Sequence, residues 1–137
     1  MNQVSLLYLN KMKIITNNKK NIAFIFDGKY KSGTHGLTET KLPLQVISLN
    51  HPKGKVWPAH FHKPRRRVTT QLHEVFFITK GKARVQILLN KKVFKTLTLK
   101  ENQGIMVLKG AIQIEALSNL IALEFKNGPF LEDKELL

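Results

Sequence analysis

The sequence contains no cysteine, which excludes disulfide staples, thiolate zinc sites and cysteine nucleophiles. A thiol-free chain fits a reducing compartment, and a cytoplasmic location is the expectation. There is also no apolar run near the ~20 residues that a membrane-spanning helix needs. The short apolar patch Leu6-Leu7-Tyr8-Leu9 is interrupted by Asn10, Lys11 and Lys13, and no small-residue cleavage site follows it. A secretory h-region is longer and follows the positive charge, so this patch does not read as one, and no membrane partner is expected. Acidic side chains are scarce: 9 Asp and Glu stand against 23 Lys and Arg, a net charge of +14. Such a balance attracts nucleic acid, anionic membrane or acidic small molecules. The lysines are scattered from Lys11 to Lys134, however, so most of the charge reads as a solvated surface. No helix-turn-helix, aromatic RNA-binding platform or zinc-finger pattern accompanies it, and nucleic acid is not an expected partner.

What is present is enough for one domain. The chain has 137 residues, 42% of them apolar, which supports a single buried core. Short apolar segments alternate with turn chemistry. Strands are expected over 21–26, 42–49, 56–62, 74–79, 83–89, 93–99, 105–108, 113–117 and 120–125. Asp27-Gly28, Pro52-Lys53-Gly54, Lys80-Gly81-Lys82 and Asn90-Lys91-Lys92 punctuate them. No segment holds a 3.6-residue apolar period for more than two turns. The fold class expected is all-β, a sandwich or barrel. Residues 1–33 form an N-terminal segment with the first strand or strands, and 34–137 form the barrel, one domain overall. Residues 131–137 read as a short helical turn or a tail. Residues 1–11 add nothing that this reading of the fold requires, so Met12 is an alternative start.

Histidine is the side chain to follow, because neutral imidazole is the commonest metal ligand. There are five: His35, His51, His60, His62 and His73. His60 and His62 are two apart on an extended segment, so both project to one face. Glu74 opens the next strand and can add a hard oxygen ligand. Two His and one carboxylate with open positions suit a divalent metal, with Fe, Mn, Ni and Zn the candidates. Phe76 and Ile78 share the parity of Glu74, so its face should also carry core residues. His73 should point to the opposite face, towards the surface or a dimer interface. His35 and His51 fall in loops, with no function expected. Trp57 and Phe61 read as core or dimer packing first, and as a stacking platform for substrate second.

The spacing Gly54, His60, His62, Glu74, Gly81 resembles the first motif of the cupin family. The insertion between His62 and Glu74 is longer than usual, as in small bacterial cupins with an extended hairpin there. The resemblance covers roughly residues 34–134. It implies a double-stranded β-helix, the jelly-roll barrel, often dimeric, with His60, His62 and Glu74 as metal ligands. The second cupin motif is degraded. No histidine follows His73, and in the segment QGIMVLKGAIQIEAL the ligand position falls on Glu115 or on Ile112 beside Gln113. Three protein ligands still bind metal if water or substrate completes the shell.

Arg65-Arg66-Arg67 lies in the inserted segment. A guanidinium holds phosphate or carboxylate in a bidentate fork. Arg65, Arg67, Gln113 and Glu115 are therefore the candidate substrate-binding residues, beside a solvated-hairpin reading of the arginines. Two functions are open. One is an enzyme resembling the nucleotide-sugar epimerases and ketoisomerases of polysaccharide biosynthesis among cupins. In it His60 or His62 is the catalytic base that takes a proton next to a carbonyl. No tyrosine acid is recognisable, since Tyr8 and Tyr30 lie outside the motif. The other is a non-catalytic binding or sensor cupin with a vestigial metal site. Either would hold a small anionic or sugar ligand. The alternating segment 42–49 and Phe77 leave sheet surface for a partner, and a homodimer is expected.

Overall fold

The computed structural model describes residues 6–9 and 12–137, and side chains from Lys13 onward. Local turn chemistry sets the strand ends. Asn18 and Lys19 both take positive φ (48° and 61°), as do Asn90 and Lys91 (52° and 63°). That is the two-residue hairpin turn whose twist matches its flanking strands. The first turn joins β2 (Met12–Asn17) to β3 (Lys20–Phe26), and the second joins β7 (Lys82–Leu89) to β8 (Lys92–Lys100). Gly81 alone separates β6 (Glu74–Lys80) from β7. It needs φ of +91°, and a Cβ there would stand 2.2 Å from the Asn119 carbonyl oxygen, so no other residue fits without rearrangement. The remaining strands are β1 (Leu6–Leu9), β4 (Gly33–Gly36), β5 (Ile47–Asn50), β9 (Gly104–Val107), β10 (Ala111–Ala116) and β11 (Ile121–Lys126).

These strands form a six-stranded sheet in the order β1-β2-β3-β9-β6-β11, a three-stranded sheet β10-β7-β8 and a pair β4-β5, with antiparallel pairing throughout. Side chains of the large sheet alternate between two cores, as the period of a strand requires. Ile25, Phe76, Ile78 and Ile105 face the small sheet and meet Ala83, Val85 and Ile87 of β7. Phe24, Phe26, Val75 and Met106 face the other way, onto Leu37 and the half-buried Tyr30, Leu42, Leu44 and Val46. Ile78, Ile87 and Ile105 are essentially fully buried, and each such side chain stabilises the fold by about 1.5–3 kcal/mol. The large sheet is thus the middle layer, with β7 and its neighbours on one face and residues 30–46 on the other.

The all-β class holds, and the sheets are antiparallel, but they do not close into a barrel. Four differences from the sequence reading have physical reasons. β1 and β2 extend the large sheet beyond the first strand expected from sequence. The expected strand 42–49 shortens to β5, because Leu42 and Leu44 instead pack under the large sheet. Phe77, expected on a free face, packs against that same core. The expected strand 56–62 has no partner strand, and residues 52–72 form an arm that is exposed at every position. The tail 131–137 carries no regular structure and is exposed.

Candidate functional site

The arm is fixed at both ends. At its start, the His51 ring stands in hydrogen-bond contact with Thr34 Oγ1 (2.8 Å) and edge-on to Trp57, ring centroids 5.0 Å apart. The Lys55 ammonium lies over the Trp57 ring, 5.7 Å from its centroid. At its end, Asn127 clamps the chain where it enters β6. Its Nδ2 donates to the Gln71 carbonyl, and its Oδ1 accepts from the His73 backbone N–H at 2.7 Å. Between these clamps the hydrogen bonds from Pro58 to Thr70 stay within the arm.

His60 and His62 stand side by side on the arm, with ring centroids 5.5 Å apart and planes at 78°. His60 Nδ1 lies 2.9 Å from the Pro58 carbonyl oxygen. A carbonyl only accepts, so Nδ1 carries the proton and Nε2 presents its lone pair outward. Arg65, Arg66 and Arg67 follow, all exposed, with Arg67 donating to the Arg65 carbonyl. Trp57 and Phe61 are exposed rather than in the core of their own chain, Phe61 at 81%.

Glu74 sits on the sandwich, on the inner face that Phe76 and Ile78 continue, as its parity predicts. It is not beside the His pair. Its Oε2 is 3.2 Å from Lys126 Nζ, and the same ammonium lies 3.2 Å from Glu124 Oε2. Hydrogen bonds to Glu124 and then Glu74 raise the Lys126 pKa, so the ammonium stays charged between the two carboxylates. Antiparallel pairing of β11 with β6 sets Lys126 opposite Glu74 and Glu124 opposite Phe76. Sequence reasoning missed both partners. The alternation of Glu124-Phe125-Lys126 was visible, but the strand they would face was not. Among the described residues no group of three or more His, Asp or Glu is placed to hold a metal. Within one chain the expected donors are therefore split between the arm and the sandwich, and Lys126 occupies the cation position beside Glu74.

The other candidate residues are spread further. Gln113 and Glu115 point away from the interior on β10, opposite Gln86 and Arg84. The Glu115 carboxylate is ion-paired with Arg84. Ile112 and Ile114, which alternate with them in sequence, pack against the inner core. His73 is buried rather than on the surface, its Nδ1 has no hydrogen-bond partner, and burial lowers its pKa. His35 lies on β4 rather than in the loop expected from sequence, and its Nε2 donates to the Ser32 carbonyl at 2.8 Å, so it and His51 hold local chain geometry. No helix of the described residues is long and apolar enough to cross a membrane. Comparison with protein-family models, with curated proteins and with solved structures found no match.

Proposed function

We propose that this chain is a cupin-type binding protein for a small anionic ligand, of which the diphosphate of a nucleotide sugar is the model. One observation carries the reading. Residues 52–72 hold six Lys and Arg side chains and two imidazoles, all exposed, and no carboxylate. Exposed guanidinium groups at Arg65 and Arg67 can each form a bidentate fork to a phosphate. His60 and His62 add donors or acceptors next to them, and Trp57 offers a stacking face.

A second reading, an isomerase or epimerase of such sugars, is favoured by His60 alone. Its Nε2 lone pair is free and oriented by the Pro58 contact, the arrangement a general base needs. A divalent metal at His60, His62 and Glu74 would require Lys126 to release Glu74.

Trp57 is the only tryptophan, which makes the test direct. Titration with a nucleoside diphosphate sugar should change its fluorescence, and the free sugar should not. Arg65→Ala with Arg67→Ala should weaken binding at least tenfold. Equal responses to charged and neutral sugar would sink the anionic reading. Loss of catalysed sugar isomerisation in His60→Ala, with binding retained, would establish the second. Metal analysis of protein purified without chelator or a histidine tag decides whether Fe, Mn, Ni or Zn is held.

A further inference from the structure

The sandwich is open along one flank. β10 is an edge of the small sheet and β11 an edge of the large one. They lie on the same side, because β10 pairs with β7, β11 pairs with β6, and β6 runs into β7 through Gly81 alone. The turn between β10 and β11 touches that glycine, its Asn119 carbonyl 2.2 Å from where a Cβ would be. The flank therefore presents two rows of unpaired backbone groups, a template for an added strand. Ile121, Leu123 and Phe125 are half-exposed upon it. The arm of residues 52–72 is the converse object: a segment without regular structure that pairs with no strand among the described residues, and with Val56, Phe61 and Val68 each more than 70% exposed.

Charge matches the two. The arm carries six cations and no acid. Residues 110–137, which form β10, β11 and the tail, carry five of the nine acids and only two lysines; Glu115 and Glu124 are ion-paired with Arg84 and Lys126, and Glu132, Asp133 and Glu135 lie in the exposed tail that follows β11. In a chain of +14 this is the one acidic stretch. A loop of twenty-one exposed residues is unusual within a compact domain, where loops beyond about 12–15 residues have a binding role or are disordered. The arm also matches in size a standard interface, about 20–30 residues a side.

We propose that two copies exchange arms: residues 52–72 of one copy dock along the β10–β11 flank of the other, and the reverse. Donor and acceptor are both on every chain, so the contact is self-complementary and closes at a dimer. The arm is exposed at every position on its own chain although both its ends are fixed, which is why the occupant is a second copy. Docked beside β10, His60 and His62 of the second copy approach the interior that Ile112, Glu74 and Glu124 line. The binding surface is then built from two chains. The exchange stands independently of the ligand reading, since it rests on edges, exposed apolar side chains and charge.

The test uses the unmodified chain. Light scattering at micromolar concentration should give twice 15.7 kDa. Light and heavy-nitrogen chains, unfolded together and refolded, should then be joined by a zero-length carbodiimide coupling of amines to carboxylates. Links from Lys53, Lys55 or Lys63 to Glu115, Glu124, Glu132 or Asp133 should join a light to a heavy peptide. A monomer mass, links confined to peptides of one label, or no arm-to-flank links would each overturn the exchange. Replacing residues 53–70 with a short Gly-Ser linker should halve the mass and leave the far-ultraviolet circular dichroism β-dominated. Should that variant not fold, the combined Arg65→Glu, Arg66→Glu and Arg67→Glu variant should raise the dimer dissociation constant at least tenfold. An unchanged constant counts against the proposal.

Discussion

His73 and Glu74 are neighbours with opposite surroundings, and the alternation of a strand makes them so. Glu74 keeps a charged partner in Lys126, whereas His73 is buried with Nδ1 unpartnered. Burial disfavours the imidazolium, so the folded-state pKa lies below the ordinary value of about 6.5. The unfolded chain therefore binds this proton more readily than the folded one. The stability contribution is fully present above about pH 6.5 and is lost as pH falls through the unfolded pKa towards the folded one. Urea unfolding between pH 7 and 5 should show stability dropping with a slope of at most ~1.4 kcal/mol per pH unit from this residue. His73→Phe should flatten that slope, because an apolar ring leaves no Nδ1 to charge or to satisfy. An identical slope in the variant would assign the acid sensitivity to other groups. The parity of Glu74 with Phe76 and Ile78 was readable in sequence because the period of a strand is local. The burial of His73 was not, since its backbone is held by Asn127, 54 residues away.

Strands were legible in sequence where their ends carried turn chemistry and their faces alternated. Ala83–Leu89 and Val93–Leu99, read as a hairpin about Asn90-Lys91-Lys92, are β7 and β8 with Leu89 paired to Lys92. Lys91 there sits at φ 63°, a conformation that costs an L-residue with a Cβ about 1–2 kcal/mol. Lys91→Gly removes that cost and adds about 0.5–1 kcal/mol of chain entropy to be lost on folding. The net expectation is a gain of about 0.5 kcal/mol, seen as a higher urea midpoint at unchanged m-value. A lower midpoint would mean that Lys91 makes a contact worth more than its strain. The segment 56–62 shows the converse limit. Its composition reads as a strand, yet a strand exists only beside another strand, and none of the described residues pairs with it. Pairing is a property of distant segments, so alternation reports the face of a side chain and not the existence of its sheet. β1 and β2 went unread for the related reason that lysines and asparagines break their apolar pattern, while β3 supplies a neighbour that fixes β2.

At the scale of the whole molecule, charge separation is the property that composition alone hid. A net charge of +14 read mostly as a solvated surface, with Arg65-Arg66-Arg67 set apart, but the structure sets a whole cationic arm apart from a flank whose chain segment is acidic. All-β architecture was readable from segment length; the open flank was not, because closure depends on where the arm goes. The same separation governs what a ligand should do to stability. An anion that Arg65, Arg67 and the His pair hold in their folded arrangement, and that the unfolded chain does not hold, stabilises by RT ln(1 + [L]/Kd), about 2.7 kcal/mol at a hundredfold excess over Kd. A nucleoside diphosphate sugar should therefore raise Tm in a concentration-dependent way at low salt. The arm is exposed, so its charges are screened by solvent and ions. At about 1 M salt the Debye length falls to roughly 3 Å, and most of the shift should disappear. The Arg65→Ala, Arg67→Ala double variant should show the weak high-salt response at every ionic strength, with unligated Tm nearly unchanged because neither side chain packs against the body. A shift that survives 1 M salt, or that the double variant retains, would place the ligand on the apolar interior near Ile112 and Phe76 instead of on the arm.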